Sequence, residues 1–222
     1  MAAPLVALAR EFLAGSPLRH APYRVFYVGA IGAALGYTMQ TTVAAWLMAT
    51  LTPSAVMVAL VQTASTAPAL LFGLLAGAMA DIVDRRTMIF WTQVVLLAAT
   101  AILGATELTE WAGPGTLLAL TFAVGAGFAF YQPAQNATVN DLVAREELPQ
   151  AVSLNAVAFN VARAIGPALA GALTAVIGTG SALLVSAACF GAMIVAVRRL
   201  RHRAPALPGI PERVLSGVQT GL

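Results

Sequence analysis

The sequence predicts an all-α integral membrane protein with six transmembrane helices and both termini in the cytoplasm. Three observations lead to this fold class. The 222 residues are 59% hydrophobic and only 9% charged, whereas soluble domains carry about 25% charged residues. Six apolar stretches are long enough for a helix to cross a bilayer. The arginines lie almost entirely on one side of those stretches, which indicates an orientation.

The six stretches follow one another with short connections. From Val25 to Ala80 there is no Asp, Glu, Lys or Arg, and one helix of that length would be more than twice the bilayer thickness of about 30 Å. Thr52-Pro53-Ser54 supplies a turn that divides this run into two spans. The predicted spans are about 25–51, 55–80, 87–106, 115–135, 149–177 and 181–197. The short connections predict that neighbouring helices pack antiparallel and side by side.

The arginines predict which way the bundle faces. The chain contains 12 arginines and no lysine. Eleven of them flank the bundle or lie in its second and fourth connections: Arg10, Arg19, Arg24, Arg85, Arg86, Arg145, Arg198, Arg199, Arg201, Arg203 and Arg213. By the positive-inside rule this side is cytoplasmic. Residues 1–21 then form a cytoplasmic lead-in, residues 22–199 the transmembrane bundle, and residues 200–222 a basic cytoplasmic linker.

Polar side chains are concentrated in spans one, two, four and five. A polar side chain in hydrocarbon costs free energy unless it finds a partner or a water-filled cavity. We therefore expect these four spans to line an interior, and spans three and six to face lipid. The candidates for a substrate pathway through that interior are Gln40, Gln62, Tyr131, Asn160 and Arg163.

Arg163 lies near the middle of span five, where an arginine costs roughly 2.5–3.5 kcal/mol on insertion scales. Ser153 and Asn160 lie close to the same helical face. Two interpretations remain open: Arg163 holds the bundle together by binding backbone carbonyls or a neighbouring helix, or it faces a translocation pathway or gate. No Asp or Glu lies at mid-depth in any predicted span, so neither an ion pair for Arg163 nor a proton-carrying carboxylate is visible in this chain.

The remaining chemistry is sparse. His20 and His202 are isolated in basic flanks, which argues against a metal site, and the single cysteine, Cys189, excludes an intramolecular disulfide. The sequence predicts no catalytic residue, no cofactor and no nucleic-acid partner, so we do not expect an enzyme.

One charged turn has a recognisable pattern. Residues 77–86, GAMADIVDRR, resemble the loop GxxxDRxGRR between helices two and three of the major facilitator superfamily. Four positions match: Gly77, Asp81, Arg85 and Arg86. Ile82 replaces the first basic residue, and Asp84 replaces the second glycine. The resemblance implies a cytoplasmic gate that closes against the opposite half of a carrier. Because Asp81 ends a helix, where the dipole disfavours negative charge, we expect it to need a cationic partner or the N-terminus of another helix, and Arg85 and Arg86 are the cations in reach.

Other stretches resemble a narrower group. In residues 162–171, Gly166, Pro167 and Gly171 resemble the GPxxGG packing motif in helix five of exporters, with Ala170 in place of one glycine. Residues 37–48, 80–86, 140–155 and 159–171 are similar to the enterobactin-exporter-like, transmembrane secretion effector branch.

The resemblance implies proton-driven export of a small molecule across the inner membrane by alternating access. Such carriers pair two six-helix halves, each with 3+3 inverted repeats. This chain corresponds to the N-terminal half and the start of the central linker. Its implied partners are the lipid bilayer, a small-molecule substrate, and either a missing C-terminal half or a second copy of the chain. Two alternatives remain open: an inactive membrane fragment, and a six-span subunit of an ATP-driven exporter, which would need long cytoplasmic helical extensions.

Overall fold

The computed structural model describes residues 16–200, which form six long helices. These are α1 (Ala21–Leu51), α2 (Ala55–Ile82), α3 (Arg85–Leu108), α4 (Pro114–Leu142), α5 (Leu148–Ile177) and α6 (Thr179–Arg199). Short 3-10 turns at Pro17–Arg19 and Arg145–Glu147 precede α1 and α5. Most of the predicted lead-in (1–21) and of the predicted linker (200–222) lies outside the described residues.

The helices are generally longer than the apolar spans that predicted them. The largest difference is in α4, which continues to Leu142 although the predicted span ends at 135. The added residues include Asn136, Asn140 and Asp141. A search for apolar stretches stops at such residues, whereas a helix can continue through them into the interface. The helix boundary and the membrane boundary therefore differ at this end.

Five of the six helices, α2 to α6, are long and apolar enough to cross a membrane. Helix α1 has sufficient length, but a polar segment lowers its hydropathy: Tyr37, Thr38, Gln40, Thr41 and Thr42. The described chain is thus an all-helical, multi-pass membrane protein.

Local sequence explains where several helices begin and end. The Ser54 hydroxyl accepts a hydrogen bond from the Met57 amide and caps α2, and Asp84 caps α3 in the same way. Gly178 alone separates α5 from α6 and has φ of 83°. Glycine adopts that left-handed conformation without steric cost, so the chain can reverse direction within one residue.

Packing between helices does not follow their order in the chain. The closest packing joins α1 with α6 and α5, α2 with α4, and α3 with α4 and α6. Helices α2 and α3 are joined by two residues, Val83 and Asp84, yet they barely touch along their lengths. The expectation that neighbouring helices pack side by side is therefore wrong for this pair, because a short connection constrains only the joined ends.

Glycines on α1 determine how closely α6 approaches. A Cβ atom on Gly32 would lie 2.9 Å from the Cys189 carbonyl oxygen, and one on Gly36 would lie 2.9 Å from the Ser186 carbonyl oxygen. Side chains at these positions would force the two backbones apart. Gly73 and Gly77 of α2 have the same spacing, but a Cβ atom there would meet nothing within 4 Å.

Burial differs among the helices. About 50% of the apolar segment is buried in each of α3 and α6, against 22% in each of α2 and α5. Within residues 16–200, α3 and α6 are thus covered more than α2 and α5, and the contact of spans three and six with lipid stays a prediction. The difference in burial arises because α3 contacts α4 and α6, and α6 contacts α1, whereas α2 and α5 each carry a broad uncovered face.

Candidate functional site

A cavity of about 480 Å³ lies between α1, α4 and α5. Its lining combines three aromatic residues, five carboxamides and six small or aliphatic residues: Phe128, Tyr131, Phe159, Gln132, Gln135, Asn136, Asn140, Asn155, Ala30, Ala34, Val139, Val152, Ala156 and Ala158. Among residues 16–200, no charged side chain lines it. Because α4 and α5 make few contacts with each other, the end of α4 and the start of α5 separate and leave this space.

An aromatic cluster forms one wall of the cavity. The ring of Tyr37 stacks on that of Phe128, with centroids 3.9 Å apart. Phe128 also contacts Tyr131, at 5.8 Å, and Phe159, at 6.2 Å. Offset stacking of this kind fixes ring orientations, so the wall presents a rigid aromatic surface.

Arg163 extends this wall toward the middle of α5. Its guanidinium carbon lies 6.0 Å from the centroid of the Phe159 ring, at the outer limit of a cation–π contact. Val152, Ala156, Phe159 and Arg163 follow one another at helical spacing and therefore share a stripe of α5. The first three line the cavity, so the guanidinium lies just beyond it.

Two polar atoms at the cavity lack a hydrogen-bond partner among residues 16–200. Tyr131 is 2% exposed, and its hydroxyl is unpaired, as is the Oδ1 atom of Asn155. Leaving a buried polar group unsatisfied costs about 1–3 kcal/mol. Neither atom has accessible surface in the cavity, so a bound molecule would complete these hydrogen bonds only after the surrounding side chains move.

The structure brings together only part of the predicted substrate pathway. Tyr131 lines the cavity, and Arg163 lies beside it. Gln40 is fully buried in α1 outside the cavity, and both of its amide atoms lack a partner in the described chain. Gln62 and Asn160 are exposed and also lie outside the cavity lining.

The predicted substrate pathway left out the carboxamides, although Gln132, Gln135, Asn136 and Asn155 belong to the polar side chains of spans four and five that we expected to line an interior. Gln132, Gln135, Asn136 and Asn140 are spaced by three, four and eight residues from the first of them, which places them on one face of α4. That spacing was a detectable signal. Asn155 carried no comparable signal, because its position opposite this face depends on how α4 and α5 pack.

The charged turn at 77–86 makes contacts different from those expected. The carboxylate of Asp84 accepts hydrogen bonds from the Thr87 amide, at 2.9 Å, and from the Thr87 hydroxyl, at 2.7 Å. Arg85 pairs with Asp141 at 2.5 Å and donates to the Ala137 carbonyl at 3.3 Å.

Arg86 reaches α6, where it donates to the Leu200 carbonyl at 2.8 Å. Neither arginine therefore binds Asp81, so the two cations in reach are not its partners within residues 16–200. Asp81 is exposed at the end of α2. Gly77, the first residue of the motif, has no close neighbour for a Cβ atom.

The same end of the bundle joins α1 to α5. Glu147 pairs with Arg19 at 2.5 Å and with His20 at 2.9 Å. The hydroxyl of Tyr23 donates to the Ala151 carbonyl at 3.0 Å. We call this region, where α1, α3 and α5 begin and α2, α4 and α6 end, the arginine-rich end.

One residue of the helix-five motif, Gly166, makes a close contact with another helix. A Cβ atom on Gly166 would collide with the Thr38 side chain. The Thr38 hydroxyl lies 3.1 Å from the Ala162 carbonyl oxygen, which shares the single hydroxyl proton with two carbonyls of α1, those of Ala34 and Leu35. Gly166 thus allows α1 and α5 to touch. Pro167 and Gly171 are exposed, and Gly171 has no close neighbour in the described chain.

The family profile described as transmembrane secretion effector matches residues 13–222. The chain belongs to this family of the major facilitator superfamily.

Curated relatives agree with the family assignment. A staphyloferrin A transporter of Staphylococcus aureus is 28% identical over 165 residues, which cover 73% of this chain and 41% of that protein. The multidrug efflux pump Tap of Mycolicibacterium fortuitum is 28% identical over 220 residues, 92% of this chain and 52% of the pump. The uncharacterized MFS-type transporter YfiS of Bacillus subtilis is 27% identical over 124 residues, 55% of this chain and 28% of that protein. The chain spans about half the length of the first two relatives, or less.

Proposed function

We propose that this chain forms one six-helix half of a secondary active carrier that exports a small molecule across the inner membrane by alternating access. The observation that carries the proposal is the cavity between α1, α4 and α5, which combines carboxamide side chains with an aromatic wall inside a membrane bundle. The names of the relatives, a transporter and a multidrug efflux pump, support the same class of activity.

A second half is proposed because α2 and α5 are poorly covered. Leu70 and Leu74 of α2 are almost fully exposed, and Asn160 and Arg163 of α5 are exposed near the middle of their helix. An exposed arginine at that depth is expensive in lipid, whereas a second six-helix half would cover it and close the cleft around a substrate.

The second half could belong to the same polypeptide or to a second copy of this chain. All acidic residues of the described chain lie at helix ends or in connections: Asp81, Asp84, Glu107, Glu110, Asp141, Glu146 and Glu147. A second copy therefore offers no carboxylate at the depth of Arg163. This favours a different half over a homodimer.

We further propose protons as the driving ions. Because the described spans carry no acidic side chain at mid-depth, the proton-carrying residue is assigned to the second half. A six-span subunit of an ATP-driven exporter is less well supported, since the connections at the arginine-rich end are residues 83–84 and 143–147, too short for helical extensions that would contact a nucleotide-binding subunit.

Two measurements test the proposed function. Translation of the coding DNA beyond the codon of Leu222 should show six further apolar spans if both halves share one polypeptide. Proteoliposomes that contain the carrier with both halves, loaded with the pH-sensitive dye pyranine, should then show proton movement when a transported compound is added. Absence of coupled proton movement across a broad compound panel, with the protein correctly inserted, would contradict proton-driven export.

A further inference from the structure

We propose that the cavity between α1, α4 and α5 selects molecules with an anionic group and several hydrogen-bonding groups, and discriminates against cations of the same size and shape. This inference rests on the proposed carrier function and concerns its substrate class. It depends on four properties of the described residues: the lining chemistry, the surrounding charges, the unpaired polar atoms and the aromatic wall.

The lining chemistry favours a polar ligand. Five carboxamides line the cavity, and four of them lie on one face of α4: Gln132, Gln135, Asn136 and Asn140. A carboxamide both donates and accepts hydrogen bonds, so this face fits hydroxyl, amide or carboxylate groups. The volume of about 480 Å³ is within the usual range for small-molecule sites.

The surrounding charges favour an anion. The nearby carboxylate of Asp141, next to Asn140 in α4, is paired with Arg85, and Glu147, just before α5, is paired with Arg19 and His20. The guanidinium beyond the Phe159 ring belongs to Arg163. A cation in the cavity would lose hydration without gaining a counter-charge, whereas an anion would gain one.

The unpaired atoms provide hydrogen-bonding groups at the edge of the site, which a ligand reaches when the side chains around them move. The buried Tyr131 hydroxyl lacks a partner in residues 16–200 and can donate a hydrogen bond to a carboxylate or phenolate oxygen. The unpaired Oδ1 of Asn155 can accept one from a hydroxyl or amide of the same ligand. A ligand that carries both types of group satisfies both atoms.

The aromatic wall adds a preference for a planar ring. Tyr37, Phe128 and Phe159 form a stacked series beside the carboxamides. A conjugated ring can pack against this series while its anionic substituent lies toward Arg163. The inferred substrate is thus a planar or aromatic organic acid with further hydrogen-bonding groups.

Two dyes with the same xanthene ring system and opposite charge test the inference. Binding of fluorescein, an anion, and of rhodamine 6G, a cation, is measured by fluorescence polarisation on the full 222-residue chain in phosphatidylcholine nanodiscs. Empty nanodiscs correct for partitioning into lipid. We expect fluorescein to bind at least about tenfold more tightly than rhodamine 6G, the difference typical of one hydrogen-bonded charge pair.

Variants connect the preference to the cavity. Arg163→Gln should weaken fluorescein binding roughly tenfold and leave rhodamine 6G binding unchanged, while Arg163→Lys should retain most of the affinity. Arg145→Gln removes the same charge from an exposed turn outside the cavity and should have no effect. Asn155→Asp, which adds a negative charge to the lining, should shift the preference toward rhodamine 6G.

The proposal is overturned by equal binding of the two dyes, by tighter binding of rhodamine 6G, by absence of fluorescein binding above empty nanodiscs, or by fluorescein binding that Arg163→Gln does not change. Variants are compared only where their elution profile matches the parent chain. Failure of the carrier function is distinguishable: Arg163-dependent fluorescein binding without compound-coupled proton movement in the complete carrier would contradict the proposed function and leave the anion preference standing.

Discussion

Asp81 and Asp84 lie three residues apart in one turn but have different surroundings. Asp84 caps the N-terminus of α3, where its carboxylate accepts two hydrogen bonds from Thr87, as is usual for a helix N-cap. Asp81 ends α2 and is exposed. The presence of Asp84 where the family pattern has glycine is therefore explained by its capping of α3. Asp81, which matches the family pattern, is left available for a contact outside the described chain.

The cap makes a measurable contribution to stability. We expect Asp84→Ala to lower the stability of the protein by about 0.5–2 kcal/mol, because the first turn of α3 loses its acceptor. Asp84→Asn should retain most of the stability, since an asparagine side chain caps equally well. Denaturation of the detergent-solubilised protein measures both changes. Equal destabilisation by the two variants would indicate that the charge, and not the cap, is what matters.

Arg163 should be required for transport and not for insertion. In a transport-competent carrier, Arg163→Ala should reduce flux roughly tenfold, as expected for the loss of one charge-assisted interaction. The amount of protein in the membrane should stay normal, because Arg163 is exposed on α5 and makes no hydrogen bond or ion pair within residues 16–200. Flux and membrane level are measured in the same cells. Unchanged flux would remove Arg163 from the mechanism.

Asp81 should influence the rate of the transport cycle. Asp81→Asn removes a charge at the proposed gate without changing the shape of the side chain, so we expect slower cycling with little change in substrate affinity. Half-saturation concentration and maximal flux, measured in proteoliposomes, separate the two effects. Equal maximal flux in the parent and the variant would exclude a gate role.

At the scale of the helices, glycines occur both at close helix–helix contacts and on uncovered helix faces. Gly166 of α5 meets the side chain of Thr38 on α1, whereas Gly171, five residues further, meets nothing within 4 Å. The two glycines belong to the same sequence motif and differ only in which side of α5 they occupy. This difference defines a matched pair of substitutions.

We expect Gly166→Ala to destabilise the bundle by about 1–3 kcal/mol, because the added methyl group overpacks the contact with Thr38. Gly171→Ala should leave stability unchanged or raise it slightly, since alanine is the better helix former. Thermal unfolding in detergent compares the two variants directly. A larger effect of Gly171→Ala would mean that this side of α5 is covered by something outside the described chain.

The helices themselves were largely predictable, while their partners were not. The charge-free run from Val25 to Ala80 and the break at Pro53 predicted α1 and α2 from composition alone. The contact of α2 with α4 instead of α3 was not predictable, because side-chain polarity does not specify which helix covers which. For the same reason Tyr131 was identified as a pathway residue and Asn155, across the same cavity, was not.

At the scale of the whole molecule, uncovered surface is the main feature. Helices α2 and α5 carry the faces that the rest of the bundle leaves open, and the acidic side chains within residues 16–200 lie at helix ends or in connections. A partner that covers these faces must accommodate Arg163 at mid-depth. A second copy of this chain does not offer a carboxylate there, so we expect the chain alone not to form specific dimers through α2.

Cysteine cross-linking tests that expectation. In a Cys189→Ala background, Leu74→Cys places a thiol on the uncovered face of α2, and Ile102→Cys places one on an exposed position of α3 that controls for random collisions. Oxidation in membranes should give no more dimer for the first variant than for the second. Preferential cross-linking through position 74 would contradict the preference for a different half and support a homodimer.

The hydrogen bonds between α1 and α5 have a consequence for motion. Tyr23 and Tyr27 of α1 donate to Ala151 and Leu154 of α5, and the Thr38 hydroxyl lies within hydrogen-bonding distance of Ala162, so the two helices run parallel and contact each other over several turns. Sliding either helix by one turn would break all three contacts together. We therefore expect α1 and α5 to tilt together as one rigid body. Any widening of the cavity must then come from displacement of α4 relative to this pair of helices.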